Sequence, residues 1–121
     1  MKAVIVADLG FGDSGKGTMT DYLVRELGAR LVVRFNGGAQ AGHTVVAPDG
    51  RKHTFSQFGA GSLVPGVRTH LSRFMVVHPG GLLREAEVLG RDLSGVTVSP
   101  EALVTTPFHV AANHLRERRL R

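Results

Sequence analysis

The sequence contains no cysteine, which removes disulfides, thiolate metal sites and cysteine nucleophiles from consideration. It has no long apolar run either. The longest, Ala3-Val4-Ile5-Val6-Ala7 after Lys2, falls far short of the about 18 apolar residues that a membrane span requires, and it begins too near residue one to read as a signal peptide. It reads as a strand, and a cytoplasmic protein without membrane association is expected. Lysine is scarce, confined to Lys2, Lys16 and Lys52. Internal repeats and low-complexity linkers are also missing. What remains is a chain of 121 residues, 42% of them hydrophobic, the length and apolar content of one small domain with little room for a second.

The formal charge is +5, which suits polyanions and brings both nucleic acids and nucleotide phosphates into view. Much of the excess sits in the tail Leu115-Arg116-Glu117-Arg118-Arg119-Leu120-Arg121, the pattern of a solvated helix. No basic stripe interleaved with aromatics and no nucleic-acid reading motif accompanies it. Nucleic-acid binding is therefore not expected.

Lys2 to Leu9 is followed at once by Gly10, Gly12, Gly15 and Gly17, the order of a strand and a glycine-rich turn. Met19, Leu23 and Leu27 then recur every four positions before Gly28, predicting an amphipathic helix over Lys16–Leu27 with that face toward a sheet. Leu31 to Phe35 reads as a second strand, so a strand–helix–strand crossover with a parallel pair is expected. Thr44 to Ala47 and Lys52 to Phe55 flank Pro48-Asp49-Gly50 and predict a hairpin. Phe74 to Val77 reads as a buried strand, Leu82 to Leu89 as a helix ended by Gly90, and Val96 to Val98 as a short strand. Pro107 suits the first turn of a last helix, with Val110, Ala111, His114 and Leu115 on its inner face. The fold class expected is α/β: a P-loop-like, mostly parallel sheet flanked by helices, with an appended β-hairpin.

Gly10-Phe11-Gly12-Asp13-Ser14-Gly15-Lys16-Gly17 has the spacing of a P-loop up to its lysine. Such glycines let main-chain N–H groups converge on phosphate oxygens, the helix start adds positive potential, and Lys16 adds a point charge. The usual hydroxyl after the lysine is displaced, with Gly17 intervening before Thr18. A glycine-rich turn here also serves plain close packing, but the added lysine favours phosphate. Asp13 is out of place among phosphate ligands unless it binds a cation or takes a proton; as a turn or cap residue it would need neither. Asn36-Gly37-Gly38-Ala39-Gln40-Ala41-Gly42-His43-Thr44 follows the second strand and should lie at the same carboxyl edge of the sheet, where open α/β sheets bind ligands. His43 could donate a proton there near neutral pH, with Asp13 as base. A lone loop histidine is more commonly a surface or packing residue, and the other five histidines are read so.

Asp13 to Gly17 followed by Arg34 to Thr44 resembles the start of the adenylosuccinate synthetases. The order and spacing of the two motifs are far more specific than a P-loop alone, and weaker resemblance continues through Gly61, Val76, Val77, Pro79 and Leu82. The resemblance implies a carbon–nitrogen ligase that joins L-aspartate to IMP, with GTP as co-substrate and Mg²⁺ as cofactor, through a 6-phosphoryl intermediate. It implies Asp13 as the base at purine N1 and His43 as its partner at the developing charge, with Asp13 and the Gly42 carbonyl as magnesium ligands. Gly12, Asp13, Ser14, Gly15, Lys16, Gly17 and Thr18 would contact nucleotide from the first loop, and Gln40, Ala41, Gly42, His43 and Thr44 from the second. A homodimer is among the assemblies to be tested. Ser14 stands where the family usually has Glu, Thr18 where Lys is common, and Gln57 to Gly61 replaces a proline-containing loop, so a related 6-oxopurine nucleotide is also a candidate substrate. The family's later nucleotide, aspartate and guanine contacts have no counterpart in these residues. The expectation is a single amino-terminal portion over residues 1–121, inactive alone. A nucleoside monophosphate kinase shares Gly15-Lys16-Gly17-Thr18 but leaves Asn36 to Thr44 unexplained; a non-catalytic nucleotide-binding module would hold nucleotide and turn nothing over.

Overall fold

The computed structural model describes residues 2–120; Met1 and Arg121, the last residue of the basic tail, lie outside them. The elements in chain order are α1 (Lys16–Leu27), β1 (Leu31–Gly37), β2 (His43–Val46), β3 (Lys52–Phe55), β4 (Arg68–Val77), α2 (Pro79–Leu89), β5 (Val96–Val98), β6 (Leu103–Val104) and α3 (Pro107–Leu120). β4 is the central strand, with β1 parallel along one edge and β5 and β6 parallel along the other. β2 and β3 form the expected antiparallel hairpin, with His43 opposite Phe55 and Val46 opposite Lys52. The architecture is the α/β arrangement expected, a parallel sheet with helices and an appended hairpin.

Lys2 to Leu9 is not a strand. It pairs with no element among the described residues, and Ile5 and Leu9 are fully open to solvent. Apolar composition gives a segment a preference for burial, but a strand exists only where a neighbour completes its hydrogen bonds. β1 takes β4 as that neighbour, so the crossover expected over the first 35 residues does not form. The parallel crossover is instead β4–α2–β5.

The faces also differ from the periodic reading. α1 buries Gly17, Asp21 and Val24, whereas Met19 and Leu27 remain about half exposed. Val24 packs with Val32 and Val67, and the Asp21 carboxylate accepts from Arg25 at 2.8 and 3.2 Å. A close-packed glycine and a paired carboxylate therefore outcompete the more hydrophobic stripe. β1 turns Val32 and Arg34 inward and leaves Leu31, Val33 and Phe35 exposed. The main core lies on that inner side, where Val45, Phe55 and Phe58 from the hairpin and its following loop meet Leu71 and Met75 of β4 and Leu82 of α2.

α2 begins at Pro79, three residues earlier than the apolar pattern indicated, because His78 caps it: its Nδ1 accepts from Gly81 N at 2.8 Å. α3 starts at Pro107 as expected but buries no residue, so Val110, Ala111, His114 and Leu115 have no inner face to share. Local terms hold it: His109 Nδ1 accepts from Thr106 N at 3.0 Å, and Asn113 donates to Glu117 at 3.1 Å. Among the described residues no helix is long and apolar enough to cross a membrane.

Candidate nucleotide-phosphate site

The first loop runs through bends from Gly10 to Gly15 into α1. Gly15 is the N-cap residue, at φ 74° and ψ 22°, a left-handed conformation that glycine adopts without steric cost. Its carbonyl accepts the first helical bond, from Met19 N at 3.0 Å. Asp13 is the one non-glycine residue with positive φ, 52°, among those described. Aspartate tolerates that region better than most side chains, and a residue held there in a loop is a recognised mark of functional constraint. Its side chain is exposed.

The second loop leaves the carboxyl end of β1, where the pairing with β4 slips so that Asn36 faces Phe74 instead of Arg73. Such an irregularity re-aims the chain. Gly37, at φ 98°, makes the turn, Ala41 N returns to Gly38 O at 3.1 Å, and β2 begins at His43.

The two loops meet at the start of α1. A Cβ on Gly17 would stand 2.7 Å from His43 Cβ and 3.4 Å from its Cα, and Thr18 Oγ1 donates to Thr44 O at 3.4 Å. Glycine at position 17 is thus a matter of space: any side chain would drive the helix and the second loop apart. Gly17→Ala gains up to about 1 kcal/mol of helix propensity, less this close to the helix end, against about 1–3 kcal/mol for overpacking. The clash wins. The expected result is a lower urea midpoint together with weaker pyrophosphate binding, measured by denaturation and by calorimetry on the same variant.

His43 is half-buried, and that loss of solvent, reinforced by the positive charges of Arg34 and Lys16, holds its imidazole below the ordinary histidine value. The ring is accordingly neutral at neutral pH and offers a ring N–H as donor. Arg34 lies beneath the second loop, 7% exposed. Burial lowers its guanidinium from the ordinary value while the Glu85 carboxylate opposes the shift. One guanidinium nitrogen donates to Ser56 O and Phe58 O, each at 3.2 Å; the other terminal nitrogen is buried without a protein partner.

Of the residues singled out in the sequence, Gly17, Thr18, His43 and Thr44 are brought into contact, with Lys16 close enough to act on His43 electrostatically. Gln40 is exposed with its amide folded toward Gly38, Ala41 is half-buried, and Gly42 faces Thr54. Gly12, Asp13 and Ser14 lie in the exposed first loop; Asp13 makes no hydrogen bond to the second loop among the described residues. No group of three or more His, Cys, Asp or Glu side chains forms a metal cluster among the described residues. Two charged residues escaped the sequence reading: Asp8, which holds Lys16, and Glu85, a buried acceptor on α2; Arg34 opens the second motif, but its inward position shows only in the alternation with Val32. Nothing in the local sequence around Glu85 marks it as more than a helix-surface acid.

A glycine-rich, lysine-bearing loop opening a helix, set against a second glycine-rich loop at the carboxyl end of a parallel strand, defines the class as an α/β protein with paired glycine-rich loops at one helix start. Within that class, the chain belongs to the adenylosuccinate synthetase family, whose model matches residues 5–121. It is 41% identical over 121 residues to the adenylosuccinate synthetase of Mycobacterium leprae, covering 98% of this chain and 28% of that protein. It is 42% identical over 123 residues to the enzyme of Rhodococcus opacus, again covering 98% of this chain and 28% of the relative. The chain thus spans little more than a quarter of the length of these relatives. Among solved structures, the fully ligated adenylosuccinate synthetase of Plasmodium falciparum superposes with a TM-score of 0.78 at 30% identity, over 89% of this chain and 25% of the other. The succinoaminodeoxyadenylate synthetase of cyanophage S-2L, bound to dGMP and to dATP as an energy donor, superposes with a TM-score of 0.70 at 26% identity, over 86% of this chain and 29% of the other.

Proposed function

We propose that these residues form the amino-terminal, phosphate-binding part of a ligase that joins L-aspartate to IMP, or a related 6-oxopurine nucleotide, with GTP and Mg²⁺ in purine nucleotide biosynthesis. The observation that carries the reading is the convergence of the two motif loops on the start of α1, with Gly17 against His43, in a chain of this family. The cyanophage relative, bound to dGMP and to dATP as an energy donor, supports keeping other 6-oxopurine nucleotides and ATP within this reading.

In this reading Lys16 and the main-chain N–H groups at Gly15 and Gly17 hold phosphate oxygens by charge and hydrogen bonding, and most of the catalysis is positioning. Asp13 removes the proton from purine N1, so that O6 takes the terminal phosphoryl group of the triphosphate and the nucleoside diphosphate leaves. The aspartate amino nitrogen then bonds to C6 and loses a proton to solvent as phosphate departs with O6. His43 donates its ring N–H to the oxygens where charge develops; the negative charge of a bound nucleotide raises the imidazole from its depressed value and strengthens that role. The Asp13 carboxylate and the Gly42 carbonyl are hard oxygen donors, and one carboxylate with few other protein ligands is what Mg²⁺ takes when phosphates and water complete its shell. These residues therefore fit the ion, which when bound would offset phosphate charge.

A coupled assay with IMP, L-aspartate, GTP and Mg²⁺, following GDP and adenylosuccinate together, tests the function. The 121-residue chain alone is expected to bind nucleotide and yield neither product, and a full-length protein carrying these residues to yield both in equal amounts. Phosphate transfer between nucleotides without aspartate would assign a kinase instead, and binding without turnover in the full-length protein a non-catalytic module.

A further inference from the structure

Lys16 is already engaged. Its ammonium lies 2.6 Å from Asp8 Oδ2, and Gly10 N donates to Asp8 Oδ1 at 2.7 Å. With the Ser14 hydroxyl nearby, these contacts hold the carboxylate well below the usual carboxylate range, so Asp8 is ionised at every physiological pH. The Asp8 side chain is only 12% exposed, although it belongs to a segment in no ladder. A lysine ammonium, a main-chain N–H and a neighbouring serine are the kinds of donor that a phosphate oxygen takes in a loop of this type. A carboxylate gathered by them is an internal anion held against the lysine of the cradle.

We propose that Asp8 sets the affinity and selectivity of the phosphate loop: its carboxylate occupies the Lys16 ammonium and has to be released before a phosphate group binds. The proposal rests on the reading of the Gly10–Lys16 loop as a phosphate cradle. The exchange is a competition between anions for one cation. The tethered carboxylate has the advantage of high effective concentration; a polyphosphate has the advantage of several charged oxygens that also engage the main-chain N–H groups. Asp8 thereby biases the loop toward polyphosphates, the charge class of a nucleoside triphosphate, and against inorganic phosphate or a lone monophosphate.

The test is calorimetric titration of the 121-residue chain with pyrophosphate, and separately with inorganic phosphate, at fixed pH and ionic strength. Asp8→Asn keeps the shape and an acceptor for Gly10 N but removes the charge. It is expected to bind pyrophosphate about three- to tenfold more tightly, the scale of releasing an accessible ion pair and a like charge beside the ligand, and to show a larger gain with inorganic phosphate. Asp8→Glu, which retains the charge, is expected to show no such gain. Lys16→Ala is expected to lose binding. Unchanged or weaker binding in Asp8→Asn, with binding still lost in Lys16→Ala, overturns the role of Asp8 and leaves the cradle standing. Binding unaffected by Lys16→Ala overturns the cradle reading, and the Asp8 proposal with it.

Discussion

Asp13→Asn is expected to lower turnover by about 10²–10⁴-fold, the usual contribution of a positioned general base, in a full-length protein carrying these residues. The substitution keeps the side-chain shape and suits the left-handed backbone at φ 52°, where asparagine is as well tolerated as aspartate. The Asp13 side chain is exposed and makes no hydrogen bond among the described residues, so stability should change by no more than about 0.5 kcal/mol. Loss of activity at constant urea midpoint is therefore the expected signature. Retention of more than a tenth of the activity would remove Asp13 from the role of base. A matching fall in activity and stability would instead make it a structural residue of the loop.

Glu85→Ala carries the largest expected effect on folding. Glu85 is 6% exposed on α2 and gathers the loop after β3. Oε1 accepts from Ser56 N at 2.9 Å and lies 3.2 Å from His53 Nε2. Oε2 accepts from Gln57 N at 2.6 Å, Phe58 N at 3.2 Å and Ser56 Oγ at 3.0 Å. Truncation leaves main-chain donors unpaired in a dry environment, at about 1–3 kcal/mol for each that finds no water, and leaves the buried Arg34 without the carboxylate that opposes its desolvation. About 3–5 kcal/mol is expected, as for breaking a buried charged network, which is a large share of a typical domain's stability of about 5–15 kcal/mol. Glu85→Gln retains acceptor capacity but sets an NH₂ against main-chain donors, and should fall between. Urea denaturation measures both; a loss below about 1 kcal/mol for Glu85→Ala would show that the loop is held by packing alone. Because Ser56 O and Phe58 O in turn receive Arg34, loosening this loop should also disturb the support beneath the second motif.

Much of the molecule was legible where the determining interaction is local. The β2–β3 hairpin follows from Pro48-Asp49-Gly50, whose turn chemistry acts within four residues, and the ends of α1 and α2 follow from Gly28 and Gly90, whose left-handed conformations close both helices. The presence of β4, β5 and α3 was readable on similar grounds, but β4 begins at Arg68 rather than Phe74 and leaves Phe74 exposed instead of buried. The errors fall where the outcome depends on a distant partner. Lys2 to Leu9 has strand composition but no ladder. Met19 and Leu27 form the more apolar stripe of α1, yet the helix settles on Gly17 and Val24 because those let it approach His43 and Val32. Arg34, between apolar neighbours, turns inward because carbonyls of the β3 loop are there to receive it.

By itself the sequence determined the chemistry available: a glycine-rich loop with Lys16 and Asp13, a second with His43, and the order that marks the family. These are properties of residue type and spacing, and a loop's capacity to bend or to present a charge is set within a few residues. Tertiary structure alone decided that Gly17 packs against His43, that Arg34 and Glu85 become buried charges joined through one loop, and that Asp8 holds Lys16. Each of those results depends on which groups compete for the same space or the same charge, and that competition exists only once distant segments are brought together.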